Sequence, residues 1–460
     1  MERIKISSLK EKVGHEVKVL GWINARRDHG KLIFFDLRDE SGKVQMVSLP
    51  QNQDTHKLAD SLRDEWVVEI KGKANKRPEK MVNSEEELGH IEIEISEIKV
   101  LNEAQTPPFN LQDSGYDINE EIRMKYRYLD LRRPRMQKNI RNRHKIIKFF
   151  RDYLDTEGFV EVETPILTKS TPEGARDYIV PSRTYPGKFY ALPQSPQQYK
   201  QLLMASGIEK YFQVAKCMRD EDTRGDRQAE FTQLDIEMSF VDQEKILDLV
   251  ENMFSKMVNK IYPEKTFTES PWPRINYDEA MEKYNSDKPD IRKNKNDPNE
   301  LGFVWVLNFP LFEKDLENGH FAPSHHMFTA PKEEDLQKLE NDPADARSYQ
   351  HDLALNGFEV AGGSIRIHDP KIQEKIFNLI GFDEKQKKYF EHMLDAFTFG
   401  IPPHGGIASG LDRLIAVLEN ESSIREVIAF PKTGEGRDLT MGAPSEIEQN
   451  QLKDLKIKTG

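Results

Sequence analysis

Apolar and polar positions alternate in short runs over residues 1–104: Glu16–Arg26, Leu32–Leu37, Val44–Leu49, Trp66–Gly72, and His90–Ile98 with Ile91, Ile93 and Ile95 on one face. A period of two belongs to half-buried strands. Five strands are therefore expected, with a short helix near Gln53–Asp64 and the turn Asp39-Glu40-Ser41-Gly42 between the second and third. Such a set closes into a small β-barrel. Residues 105–130, with Pro107-Pro108 and the polar run Asp113–Asn119, read as a linker. Beyond it the period lengthens. A helix is predicted over 136–156, with Ile140, Ile147, Phe150 and Leu154 as its apolar stripe and Glu157-Gly158 at its end. Val160–Thr164 is a short strand before Pro165, and Tyr190–Leu203 turns from strand to helix with Ser195 at the cap.

Tyr211–Phe240 alternates in two arms around a short loop crowded with charge. Its first arm aims Tyr211, Gln213, Ala215, Cys217, Arg219 and Glu221 to one face, and its return arm sets Phe231, Gln233, Asp235 and Glu237 opposite Thr232, Leu234 and Ile236. Two readings stand side by side: an exposed hairpin with a solvated tip, or a site that offers an anion the guanidinium of Arg219.

Composition narrows the class. In 460 residues, 37% are hydrophobic and 32% charged, enough for two or three domains with sizeable cores. No run of about 18 apolar residues points to a membrane span, and the opening MERIKISSLKEKVGHE is too charged for a secretory leader, so a cytoplasmic protein is expected. The single cysteine, Cys217, leaves no partner for a disulfide or a multi-cysteine zinc site. A net charge of −12 opposes indiscriminate nucleic-acid binding. Residues 131–150, however, carry Arg132, Arg133, Arg135, Lys138, Arg141, Arg143, Lys145 and Lys148 with no acid among them, either a solvated helix face or a patch facing RNA.

The barrel suits an OB-fold, whose exposed face takes single-stranded oligonucleotides. Phe34 and Phe35 are neighbours, so one points outward when the other points into the core. An outward phenylalanine near Arg26, Arg27 and Gln45 is placed for stacking on an unpaired base, worth about 1–3 kcal/mol.

Longer motifs carry a resemblance. FVEVETPIL at 159–167, MRDE at 218–221 with its return strand, and GIASGLDRLIAVL at 406–418 resemble the three signature motifs of the class II aminoacyl-tRNA synthetases. Between them TPEGARDY, QSPQQYKQLLM, FTQLDIEMSF and AGGSIRIH are similar to the bacterial-type aspartyl-tRNA synthetases, and GWINARRDHG is similar to that family's anticodon-binding OB domain. The resemblance implies an α+β chain: an all-β OB-fold domain over 1–104, then, over 131–460, a class II catalytic antiparallel sheet flanked by helices. It further implies ATP and L-aspartate as substrates, tRNA(Asp) as acceptor, Mg2+, and a homodimer formed partly through the segment around Pro165.

Roles follow residue by residue from the same resemblance. Arg219 holds the α-phosphate and the aspartate main-chain carboxylate. Asp220, Glu221, Gln228, Glu359 and the run Gly410-Leu411-Asp412-Arg413 bind ATP, with Arg413 clamping the far phosphates. Lys200 and Arg366 select the side-chain carboxylate, Glu173, Gln197 and His325 surround the ammonium, and Arg26, His29, Phe34 and Gln45 meet the anticodon. His325-His326 also reads as a buried pair or a metal site. The Asn356-Gly357 turn places Leu355 opposite Phe358 and Ala354 opposite Glu359, so Asp352 and Glu359 share a face and suit magnesium. Simple alternation puts Arg366 on the other face, and a bulge at Gly362-Gly363 is expected to restore it.

Some features depart from the family. The domain its bacterial members carry between the second and third motifs is reduced to a polar bridge at 293–300, and Ala361 stands where glycine is usual. His29 resembles members that charge both tRNA(Asp) and tRNA(Asn), Lys80 the selective ones. Two rivals remain, a non-catalytic RNA-binding relative and an aspartate-amidating enzyme without tRNA.

Overall fold

The computed structural model describes the chain apart from Gly30, Lys31, Pro172, Glu173, Asp315, Glu317, Asn318, Thr459 and Gly460, and apart from the side chains of Ala25, Arg26, Asp28 and His29. The chain divides into two compact units, Met1–Leu111 and Gln112–Gly460.

In the first unit, β1 (Glu16–His29), β2 (Leu32–Asp39), β3 (Gly42–Ser48), β4 (Val67–Lys76) and β5 (Ile91–Asn102) close a barrel in the order β1-β2-β3-β5-β4 among the described residues. Inward positions obey the alternation: Ile23, Phe35, Met46, Val68, Ile70 and Ile93 are fully buried. Phe35 is therefore the core residue of its pair, and Phe34 is left half-buried. Helix α1 (Gln53–Ser61) is capped by Asn52, whose side-chain oxygen accepts from the Thr55 N–H at 3.4 Å. The pairing of β5 with β4 slips between Ile95 and Glu97, so the inward series continues at Ile98.

The second unit begins inside the expected linker. Helices α2 (Glu120–Lys125) and α3 (Arg127–Asp130) belong to it, fixed by a buried ionic cluster. Asp130 accepts from Arg123 at 3.0 Å, from Arg127 at 2.7 Å and from Arg133 at 2.7 Å, and Glu426 accepts from Arg123 at 2.6 Å. Burial alone would raise the Asp130 carboxyl; the three guanidiniums, Arg123 foremost, hold it below its ordinary range.

Helix α4 (Pro134–Thr156) buries Met136, Asn139, Asn142, Ile146, Phe150 and Leu154. The seam runs through Ile146, with Ile140 and Ile147 at its margin. Its basic residues are largely spent on acids from far along the chain: Arg135 meets Glu421 and Glu426 at 2.7 Å each, Arg143 meets Asp412 at 2.5 Å, and Lys138 meets Glu419 at 3.1 Å. The patch is thus in large part an internal ionic seam, neither a bare solvated face nor a free RNA-facing one.

The rest of the unit is built from β6 (Val160–Glu161), β7 (Ile179–Pro181), β8 (Phe189–Ala191), α5 (Gln197–Ala205), β9 (Lys210–Met218), β10 (Glu230–Ser239), α6 (Gln243–Ile261), β11 (Thr266–Phe267), β12 (Arg274–Asn276), β13 (Glu300–Leu301), β14 (Phe303–Leu307), β15 (Gln350–Leu355), β16 (Phe358–Ile365) and β17 (His404–Gly410). Eight described strands form one sheet, β12-β14-β15-β16-β17-β10-β9-β6, antiparallel except for its two outermost pairs. One face carries the core. Leu234, Ile236, Trp305, Leu353 and Ile407 pack there on Phe150 and Leu154 of α4, Met253 and Phe254 of α6, and Leu414 and Ile415 of the helix Leu411–Leu418. Removing one such phenylalanine costs about 3–5 kcal/mol. The bridge at 293–300 folds onto Glu300, whose carboxylate accepts from the N–H groups of Lys293 at 2.9 Å and Asn294 at 2.8 Å. No described helix is long and apolar enough to cross a membrane.

Candidate active site

Strand parity decides which side chains meet on the face opposite the core. Asn356-Gly357 makes the expected turn, with Leu355 opposite Phe358 and Ala354 opposite Glu359. The register then slips: Leu353 pairs with Ala361 and Asp352 with Gly362, leaving Val360 as an extra residue. The bulge exists, but at Val360, before the two glycines. Partners across a ladder share a face. Asp352, Gly362 and Ser364 therefore lie on the same side as Ala408 and Gly406 of β17 and as Asp235 and Glu237 of β10, and Arg366 follows Ser364 onto that side. Glycines leave room for the acids. A Cβ on Gly362 would stand 2.9 Å from Asp352 Oδ1 and 3.4 Å from Glu359 Oε1, and one on Gly406 would stand 2.1 Å from Glu237 Oε2.

The first cluster on this face sets two cations against two carboxylates and is fully enclosed. Lys200, from α5, places Nζ 2.6 Å from Asp235 Oδ1 and 3.1 Å from Glu237 Oε2. Arg366 donates through Nε and Nη2 to the two oxygens of Glu237 at 2.9 and 3.2 Å, and through Nη1 to Ser364 Oγ at 2.8 Å and His326 Nε2 at 2.6 Å. Burial would raise the Glu237 carboxyl, yet Arg366 and Lys200 overcome it and hold it at about 2. Asp235 is the weaker acid, pushed up by burial against the pull of Lys200, and its Oδ2 is buried without a hydrogen-bond partner among the described residues. Burial and the neighbouring cations Arg366 and Lys200 drive His326 far below its ordinary range, which leaves its ring neutral to accept from Arg366. Asp235 and Glu237 were legible as a polar face of an otherwise apolar strand, and Lys200, Arg366 and His326 were named, but not their pairing with the two acids; Ser364 gave no signal.

The second cluster is anionic. Gln350 donates to Asp352 Oδ1 at 2.7 Å, and His325 Nε2 lies 3.4 Å from Asp352 Oδ2. Desolvation of the partly exposed His325 ring works against its charge, but Asp352 raises its pKa above the ordinary value. His325 thus sits with the carboxylate pair, and only His326 touches the first cluster. Partial desolvation and the nearby Asp352 raise the Glu359 carboxyl, although its side chain still reaches solvent. Among the described residues no group of three or more His, Cys, Asp or Glu is arranged to hold a metal. Two carboxylates converging across Gly362, one of them raised by the other, nevertheless suit a magnesium ion, which takes few protein ligands.

A cleft of about 270 Å³ reaches the second cluster at Glu359 and is lined by Arg219, Gln228, Gln233 and Arg413 among others. Arg219 lies over the Phe231 ring, 5.1 Å from its centroid, with Nε 3.4 Å from the Gln194 carbonyl. Arg413 donates to the Glu359 carbonyl at 2.6 Å and approaches Asp226 Oδ2 at 3.5 Å. Glu221 lies at the rim, 3.8 Å from Arg227.

Several expected ligands also have partners or places within the protein. Asp412 spends both oxygens inside the protein, accepting from Arg143 at 2.5 Å and from the Thr232 N–H at 2.8 Å. Leu411 is a core residue, and Gly410 precedes its helix with open space around it. Asp220 turns to a neighbouring cavity, 3.6 Å from Arg176. Gln228 is buried and accepts from the Lys432 N–H at 2.8 Å. Gln197 is also buried and donates to Gln201 at 3.1 Å, while Ser195 Oγ accepts from the Gln197 N–H at 3.2 Å. In the barrel Gln45 donates to Glu92 at 3.0 Å. Glu173 and the side chains of Arg26 and His29 lie outside the described residues.

Residues 119–434 match the family model of the class II tRNA synthetases (D, K and N), and residues 17–101 match that of the OB-fold nucleic acid binding domain. An aspartate–tRNA(Asp/Asn) ligase of Natranaerobius thermophilus is 42% identical over 575 aligned positions, covering 98% of this chain and 98% of the relative. An aspartate–tRNA ligase of Staphylococcus saprophyticus is 39% identical over 96% of each chain. Both alignments run well beyond this chain's 460 residues, so each relative carries residues without a counterpart here. The asparaginyl-tRNA synthetase of Pyrococcus horikoshii, complexed with asparaginyl-adenylate, has the same fold, with a TM-score of 0.77 at 24% identity over 94% of this chain and 98% of that one. With both units matched and the sheet carrying its polar clusters on one face, the chain belongs to the class II tRNA synthetases of the D, K and N group, with an OB-fold nucleic acid binding domain.

Proposed function

We propose that this chain is an aspartate–tRNA ligase, which joins L-aspartate to ATP as aspartyl-adenylate with release of pyrophosphate and then passes the aspartyl group to the terminal ribose of tRNA(Asp). The observation that carries this reading is the buried pair Lys200 and Arg366, held rigid by Asp235 and Glu237 on the same sheet face as the cleft. Two fixed cations suit a substrate with a second carboxylate, and a neutral amide would leave them poorly matched. The unpartnered Asp235 Oδ2 is an acceptor for the substrate ammonium.

The aspartate carboxylate attacks the α-phosphorus and pyrophosphate leaves, so catalysis needs placement and charge rather than an enzyme nucleophile. Arg219 faces the α-phosphate, and Arg413 takes the far phosphates with its planar fork. Asp352 and Glu359 would hold magnesium, which neutralises polyphosphate charge when bound.

The shortened bridge at 293–300 corresponds to the family's missing middle domain. Homodimer formation is supported by exposed apolar side chains on and beside β6, β7 and β8, among them Val160, Ile166, Leu167, Ile179 and Phe189. The reading includes a cytoplasmic location.

A second acceptor, tRNA(Asn), is favoured by the N. thermophilus relative, which carries both acceptors in its name. Aspartate-dependent exchange of pyrophosphate into ATP, followed by charging of each purified tRNA, tests both readings. Absence of exchange sinks the ligase, and exchange with charging of tRNA(Asp) alone removes the second acceptor.

A further inference from the structure

The loop 222–228 is tied from one side to the stretch that follows the helix Leu411–Leu418. Ser423 Oγ and the Ile424 N–H both donate to the Gly225 carbonyl, at 3.1 and 3.0 Å. Thr223 Oγ1 faces the Thr433 carbonyl at 3.2 Å and also that of Gly434. Asp226, next to Gly225, brings its carboxylate and its carbonyl each to 3.5 Å from Arg413 Nη2. The tethering stretch is itself anchored: Glu426 accepts from Arg123 at 2.6 Å and Arg135 at 2.7 Å, and Arg127 donates to the carbonyls of Ile428 at 2.8 Å and Ala429 at 2.9 Å. A continuous set of contacts thus runs from the ionic seam through 423–434 into the loop and, through two longer ones from Asp226, on to Arg413.

We propose that Thr223 and Ser423 are positioning residues for ATP: they pin the 222–228 loop and, through Asp226, set where Arg413 presents its guanidinium to the polyphosphate. The aspartate subsite does not depend on them, because Lys200, Asp235, Glu237 and Arg366 sit on α5, on β10 and at the end of β16 and are locked to one another. This rests on the ligase reading above.

The test is pyrophosphate exchange by the full chain bearing Thr223→Val with Ser423→Ala. Valine keeps the shape of threonine and removes the hydroxyl. The ATP KM rises roughly tenfold in the double variant, with the aspartate KM unchanged. Thr223→Val alone raises the ATP KM by a smaller factor, and Thr223→Ser, which keeps the hydroxyl, restores the wild-type value. An unaltered ATP KM in either Thr223→Val protein, or an equal rise for both substrates, overturns the proposal. Should the double variant fail to fold, the Thr223→Val and Thr223→Ser pair separates the same outcomes. A wild type without exchange sinks the ligase reading and this inference with it; an active wild type beside unaltered variants overturns the inference alone.

Discussion

Arg366 lays the Nε and Nη2 edge of its guanidinium along both oxygens of Glu237, at 2.9 and 3.2 Å, within a fully buried cluster. That geometry belongs to a planar fork, and a lysine offers a single point charge. Arg366→Lys is therefore expected to lower kcat/KM for aspartate by roughly 10- to 100-fold while leaving the ATP KM near its wild-type value. Steady-state exchange kinetics check this. Glu237→Gln strips the pair of its anion and is expected to cost about 3–5 kcal/mol of stability, read by denaturant unfolding.

Among the described residues the Arg219 side chain makes only one hydrogen bond, a long one to the Gln194 carbonyl at 3.4 Å, and it rests on the Phe231 ring. Its charge is available to the cleft. Arg219→Ala is expected to slow exchange by roughly 10²–10³-fold with an unchanged thermal midpoint. Near-normal exchange would refute its assignment to the α-phosphate.

The carboxylate pair predicts a pH effect with a definite sign. Partial desolvation and Asp352 raise the Glu359 carboxyl above its ordinary value in the folded protein. The protonated form is thus favoured by folding: the stabilisation is complete below the ordinary glutamate pKa, about 4.3, and is lost as pH rises through the raised one. Glu359→Gln mimics that form. In metal-free buffer its thermal midpoint should match the wild type in acid and exceed it near neutrality, by a modest margin because Glu359 keeps contact with solvent. Added magnesium should raise the wild-type midpoint and leave that of the variant in place. A variant less stable than wild type at neutral pH would contradict the geometry.

In the barrel the two neighbouring phenylalanines should separate cleanly. Phe35 is fully buried, so Phe35→Ala is expected to cost about 3–5 kcal/mol. Phe34→Ala should cost the fold less and weaken tRNA binding roughly 10- to 100-fold, measured by filter binding at fixed salt.

What could be read in advance followed from local periodicity. The barrel strands, the Asn356-Gly357 turn and the polar face of β10 each repeat over a few residues, and all were legible. The failures share a different origin. Ile146 rather than Ile147 sits in the core seam of α4, beside buried Asn139 and Asn142, because Glu419 and Glu421 arrive from the far end of the chain to bond those asparagines. The basic run 131–150 looked free for the same reason. Asp412 lies in a recognisable motif, yet its oxygens were already committed to Arg143 and to the backbone of β10. Pairings between distant segments leave no periodic mark in either one.

The extra residue at Val360 acts by being counted rather than by its chemistry. It offsets β16 by one place, so that Asp352, Glu359 and Arg366 open onto a single wall. A substitution there that keeps an apolar side chain should be absorbed. Deleting the residue would turn every later side chain of the strand over: Arg366 would face the core, Ile365 the cleft, and a chain with all its motif letters intact would have no place to bind an acid. Alignments that tolerate a one-residue gap at this point would miss the difference between a working enzyme and a dead one.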